Sequence, residues 1–271
     1  MKPSYGRVPQ WPHGAFASVA VAGPMARTVR DAALMLQVMA RPDARDPYAE
    51  ATPPPDLLSG IEGGVTGLRI ALVRCWGYEP PLDEAGEAAL AAAADMLRDA
   101  GASVEETDPE LPDTRAIFGR VWGVALARLV ARTPEDKRAQ LDPGLLEVAR
   151  RMSGATAADM LDADAARGEA AHRMALFHLR YDLVLSAATP TAAFAADQPT
   201  LHPTEALWRD WAPWTFATNL TRQPAVAVPV GLDADGMPRA VQIIAAQGAD
   251  GLALRGARVI ERAARIGVPA A

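Results

Sequence analysis

The sequence predicts an α/β chain with a mixed sheet covered by helices. Three observations point to it. A short aliphatic run at 68–73 (LRIALV) is followed by an alanine-rich amphipathic stretch at 83–100 and a second short run at 102–106. Strand, helix, strand with brief connections favours a right-handed crossover and a parallel pair. Near the other end, 224–230 (PAVAVPV) and 240–246 (AVQIIAA) flank Asp233-Ala234-Asp235-Gly236, an antiparallel hairpin signal with a loop longer than the two-residue ideal.

The elements follow in order. Residues 1–22 are rich in Gly, Pro and small residues and read as loop, with one extended piece at 18–22. Thr28, with Asp31 three residues on, opens the apolar run Ala32, Ala33, Leu34, Met35, Leu36, Val38, Met39. That spacing is a helix start, because hydroxyl and carboxylate can satisfy the first free amides. The helix ends before Pro42, and the proline-rich stretch 41–55 is a linker. Helix 83–100 stops at Gly101, the residue type that terminates a helix without a steric penalty. Three more helices are expected at 114–131, 143–152 and 156–179. The last carries acid–arginine pairs at helical spacing, the pattern of a solvated face. Residues 182–186 (DLVLS) read as a strand, and 250–265 as a closing amphipathic helix.

Composition narrows the function. Of 271 residues, 50% are hydrophobic and 22% charged, so the chain buries a core and is not disordered. A net charge of −6 argues against a nucleic-acid partner. No apolar run approaches the ~18 residues of a membrane span, and no signal sequence opens the chain, so a cytoplasmic location is expected. The single cysteine, Cys75, leaves no intrachain disulfide and no multi-thiolate zinc site.

The reactive side chains are few: two lysines (Lys2, Lys137), six serines (Ser4, Ser18, Ser59, Ser103, Ser153, Ser186) and four histidines (His13, His172, His178, His202). His172 and His178 fall on different faces of one helix, and His13 and His202 lack neighbours of ligand type, so no metal is expected. No phosphate loop, no G-x-S-x-G elbow and no Ser-x-x-Lys is present. Gly60-x-x-Gly63-Gly64 lies before the strand rather than after it and reads as a turn. Lys2 and Ser4 flank Pro3, which holds them extended and unsuited to a catalytic dyad; Ser186 sits at a strand end without a visible base. Trp208, Trp211, Trp214 and Phe216 surround Pro213, a cluster suited to core packing or to lining an apolar pocket.

Several motifs in one order resemble the amidase signature family: KPSYGRVP at 2–9, GPMARTVRDAALML at 23–36, D-x-R-D-P at 43–47, YDLVLSAATPTAAFA at 181–195, NLTRQPAVAVPVG at 219–231 and DGMPRAVQII at 235–244. The resemblance spans essentially the whole chain. It implies an α/β amide hydrolase working by a Ser–Ser–Lys mechanism on a small-molecule amide, without metal or organic cofactor. It also implies that the chain is one partial amidase domain. On that reading 1–50 follows the family's nucleophile loop, 51–67 is a Pro/Gly-rich connection and 68–271 holds the remaining strands and helices. Trp211, Trp214, Thr215, Phe216 and Asn219 are then expected near the substrate pocket.

The same resemblance leaves the catalytic positions empty. In the family both serines and the lysine precede the KPSYGRVP-like segment, so no catalytic residue carries over and Lys2 matches a later, non-catalytic lysine. The leading expectation is a truncated family member, inactive by itself. The alternatives are half of a split amidase completed by an N-terminal partner, or a non-catalytic binding module. Loss of the N-terminal half should bare long apolar strand edges; strands 225–230 and 240–246 carry little to blunt them beyond Pro224 and Pro229. Two residues depart from the family pattern: Arg222 and Ala240 each stand where glycine is usual. Either would strain the fold if the glycine served a positive φ or a close approach.

Overall fold

Residues 1–198 and 212–264 are described by the computed structural model. A five-stranded mixed sheet runs in the order β2-β1-β3-β5-β4, from β1 (Arg69–Leu72), β2 (Ser103–Glu106), β3 (Leu183–Ala187), β4 (Ala225–Leu232) and β5 (Pro238–Ala245). β1 pairs parallel with β2 and β3, whereas β5 pairs antiparallel with both β3 and β4. Among the described residues eight α-helices surround it: α1 (Val29–Met39), α2 (Glu84–Asp99), α3 (Thr114–Arg132), α4 (Glu135–Arg138), α5 (Pro143–Arg151), α6 (Ala157–Phe177), α7 (Phe216–Leu220) and α8 (Asp250–Ala264).

Local chemistry explains the helix ends. The Thr28 hydroxyl accepts the Asp31 N–H (3.0 Å), the hydroxyl half of the expected cap. At Thr156 and Asp159 both halves form: the hydroxyl takes the Asp159 N–H and the carboxylate takes the Thr156 N–H. Asp83 caps α2 through the Gly86 N–H, and the helix ends at Gly101 with φ +88°, a left-handed position that favours glycine. α2 buries Ala89, Leu90, Ala93, Ala94 and Leu97. The alanines let it lie close to the sheet, and each fully buried leucine contributes about 2 kcal/mol.

Alternation along the strands divides the core. Ile70, Leu72, Leu183, Leu185, Val226, Val228, Val241 and Ile243 pack under α1, α2 and α8. Ala71, Val73, Val184 and Ile244 point the other way, toward Trp76, Met174, Phe177, Tyr181 and Trp214. The mixed sheet covered by helices is thus the expected fold. Two expectations are corrected. Residues 18–22 do not form an extended piece: Ala17–Val19 is a 3₁₀ turn, because Val19 is drawn into a cluster with Ile117, Val121 and Leu220 and Ser18 takes the Arg167 guanidinium. Strand 240–246 is no edge, since β5 lies between β3 and β4; β4 alone of the two is peripheral.

The two glycine departures separate. Arg222 has φ +65°, so the position does demand a left-handed backbone. Its guanidinium lies 4.8 Å from the Tyr5 ring centroid. Ala240 sits in β5 opposite Pro229 and has no such demand. Arg222→Ala and Arg222→Gly both lose the guanidinium, but only alanine keeps the steric cost. The glycine variant is therefore expected to be the more stable of the two by about 1 kcal/mol in urea unfolding, while Ala240→Gly should destabilise by a similar amount. Equal stability of the two position-222 variants would remove the strain argument.

Candidate functional site

The segment expected at a substrate pocket is built where the antiparallel part of the sheet meets β3. Ser186 pairs with Gln242 across β3 and β5. The buried Gln242 side chain then reaches out of the sheet: its Nε2 donates to the Ala187 carbonyl (2.9 Å) and to the Trp214 carbonyl (2.6 Å). This amide fastens the Pro213–Thr215 turn and α7 to the sheet end. Tyr78 donates its hydroxyl to the Pro213 carbonyl (2.7 Å), and the Trp214 indole donates to the Pro81 carbonyl (3.0 Å).

Four of the five expected pocket residues have a definite place here. Trp214 is 1% exposed and packs in the core, closing the floor of a cleft. Phe216 is buried and stacks on Phe118, centroids 4.2 Å apart. Thr215 is half-buried, and its carbonyl accepts the Thr218 hydroxyl (3.0 Å) and the Asn219 side-chain amide (3.2 Å). These four therefore share one corner. Trp211 and Trp208 lie outside the described residues. Gln242 is the residue that sequence reading missed. Its only signal is a lone amide inside the apolar run AVQIIAA.

The cleft over Trp214 holds about 440 Å³ at the carboxyl ends of β1 and β2, bounded also by Arg74, Cys75, Glu79, Glu106 and Asp108. Arg74 is engaged by Glu87 (2.5 Å) and Glu106 (3.2 Å). Burial, with Asp108 beside it, pushes the Cys75 thiol up, the wrong direction for a thiolate nucleophile.

The hydroxyl groups are committed elsewhere. Ser4 donates to the Asp250 carboxylate (2.8 Å), and Ser59, Ser103, Ser153 and Ser186 donate to backbone carbonyls. Ser18 accepts from Arg167. The Lys2 ammonium donates to the Pro3 carbonyl (3.0 Å), and burial lowers its pKa to about 8 against the opposing pull of Asp250. Among the described residues no serine hydroxyl bonds a lysine, and no group of three or more His, Cys, Asp and Glu is placed to hold a metal ion. His13 lies 3.3 Å from Asp46, and His178 Nδ1 meets the Tyr181 carbonyl at 3.0 Å. His202 is outside the described residues.

Removing the Gln242 amide strands two buried carbonyls. Gln242→Leu should cost about 2 kcal/mol in chemical denaturation and speed hydrogen exchange across 213–220, whereas a stability change under 0.5 kcal/mol would show that the turn holds itself.

The amidase family model matches residues 1–254. The chain is 31% identical to an acylamidase of Rhodococcus erythropolis over 96% of its own length and 56% of that protein's. It is 32% identical to a glutamyl-tRNA(Gln) amidotransferase subunit of Cereibacter sphaeroides, covering 97% of itself and 59% of the relative. A bacterial aryl acylamidase structure of the amidase signature family superposes with a TM-score of 0.83 at 26% identity, over 97% of this chain and 57% of that one. The chain spans rather less than three-fifths of the length of these relatives. By its sequence match over residues 1–254 and its superposition, the chain belongs to the amidase family.

Proposed function

We propose that this chain is the structural frame of an amide hydrolase, and that it does not hydrolyse amides by itself. The carrying observation is a mismatch within one molecule. Nearly all of the chain superposes on an amidase, yet every serine hydroxyl is engaged away from both lysines. Hydrolysing a carboxamide by acyl transfer needs an activated hydroxyl, a base and donors for the oxyanion. Without them most of an acceleration on the order of 10⁶-fold is forfeit. In the complete fold the serine pair and the lysine come from the part that precedes the KPSYGRVP motif in the family. The reaction forms an acyl-serine ester as ammonia or an amine leaves, and water then releases the acid.

In that fold the frame contributes shape. The corner at Trp214, Thr215, Phe216 and Asn219, with Trp211, would border the substrate, and rigid aromatics there would set which acyl or amine group fits. A small-molecule carboxamide is the ligand this corner suits. The similarity to an amidotransferase subunit supports a second reading, in which the chain is one member of a complex; its two-chain form has a separate polypeptide supplying the catalytic half.

The purified chain should leave an acetanilide and a primary carboxamide unhydrolysed above buffer and should not be labelled by a fluorophosphonate. Steady turnover that disappears in Ser186→Ala or Ser4→Ala would overturn the proposal. Turnover that appears only on adding a second polypeptide would establish the two-chain reading.

A further inference from the structure

Two guanidiniums share one corner of the molecule with too little negative charge to balance them. Arg222 stands two residues past α7 at φ +65°, a backbone state unfavourable for any side chain. Its carbonyl accepts the Tyr5 N–H (3.2 Å), and its guanidinium lies over the Tyr5 ring, 4.8 Å from the centroid. Among the described residues no carboxylate pairs with that guanidinium and no hydrogen bond uses its N–H groups. A strained residue that holds out an unpaired charge points to something that charge meets.

Arg167 reaches the same corner from α6. The apolar cluster of Val19, Ala163 and Leu220 draws the Ala17–Val19 turn, α6 and the end of α7 together, which sets Ser18, Arg167 and Arg222 around it. Arg167 is 9% exposed, donates to the Ser18 hydroxyl (2.5 Å) and pairs with Asp164 (2.8 Å). Burial holds its pKa below the usual arginine value; Asp164 opposes this and the Arg222 charge adds to it. Burial raises the Tyr5 phenol against the pull of Arg222, so it stays protonated and able to donate. The Asp46 carboxylate, whose charge also reaches Tyr5, is spent on the Gln10 and Tyr48 amides (2.9 Å each) and on His13 (3.3 Å). Asp164 answers one of the two guanidiniums. The other positive charge is left over.

We infer that Arg222, Arg167, Tyr5 and Ser18 form a binding site for a small organic monocarboxylate. The planar fork of Arg222 matches both oxygens of a carboxylate. Ser18 accepts from Arg167 and keeps its own proton to donate, the Tyr5 hydroxyl is a second neutral donor, and Arg167 supplies charge from the buried side. A single residual charge suits a monoanion; a phosphate dianion would leave one negative charge unpaired in a half-buried corner. The chain as a whole carries −6, so an anion is held here by the local pair and not by the general field. A glycine at 222, the residue usual in the family, has no donor to offer, so the site is particular to this chain. None of its four side chains belongs to the Trp214 corner, and it stands apart from the hydrolase reading.

The test titrates acetate into the purified full chain at constant ionic strength, with chloride and inorganic phosphate as parallel arms, and reads the arginine Nε–H resonances by NMR. Acetate should shift the Arg222 and Arg167 signals together and saturably, with a Kd on the order of 1 mM. Arg222→Gly, which relieves the backbone and keeps the chain folded, should weaken acetate binding at least tenfold as read at Arg167. Arg222→Lys keeps the charge without the fork and should fall between the two. Tyr5→Phe keeps the ring and removes one donor, for a loss of about threefold. A linear acetate response, an equal response to chloride, tighter binding of phosphate than of acetate, or unchanged acetate affinity in Arg222→Gly would each overturn the inference. No outcome depends on catalysis, so failure here and failure of the hydrolase reading are distinguishable.

Discussion

One buried carboxylate holds the two ends of this chain together. Asp250, 1% exposed at the start of α8, accepts the Ser4 N–H on one oxygen (2.8 Å) and the Ser4 hydroxyl (2.8 Å) and Arg7 Nε (3.2 Å) on the other. The Ser4 oxygen in turn accepts the Gly248 N–H (2.8 Å), and Arg7 also pairs with Glu50. A buried charge is tolerable only when paired and hydrogen-bonded, and this one meets both conditions. Its position in the first turn of a helix adds the favourable end of the helix dipole. The consequence is geometric. With residues 4–7 pinned to α8, Lys2 reaches the edge of β4 and Tyr5 comes under Arg222.

That clamp supplies a physical reason for the KPSYGR motif in a chain whose serines and lysines are not arranged for catalysis. Ser4 and Arg7 serve a carboxylate 246 and 243 residues away, and Gly6, at φ +86°, is closed over by the Tyr48 carbonyl. The motif is an anchor. At the opposite corner Gln242 does a comparable job for the aromatic turn. Both faces of the sheet are packed, while β4 forms one margin of it.

What could be read in advance divides by range. Signals carried within about 20 residues were legible: the cap at Thr28, the helices opening at Asp83 and Thr156, the stop at Gly101, and the β1–α2–β2 crossover whose short connections favour one handedness. Arg222 was legible as an oddity, and its φ explains it. Pairings between distant residues were not. Nothing local in AVQIIAA says that its amide will reach Trp214, or that this strand will be interior while its hairpin partner becomes the edge. The turn at Ala17–Val19 failed for the same reason, since a tertiary pull on Val19 and Ser18 overrode an extended-looking run. The aromatic cluster was half legible: its residues do gather, but Trp214 spends its indole on Pro81 and its bulk on the core.

The clamp is tested most directly by a double-mutant cycle between Asp250 and Ser4, read by urea unfolding. Asp250→Ala should cost about 3 kcal/mol, because Arg7 and the Ser4 amide lose a buried partner. Ser4→Ala should then cost markedly less in that background than in the unmodified chain. Additive losses, or an Asp250→Ala chain within 0.5 kcal/mol of the original, would contradict the account.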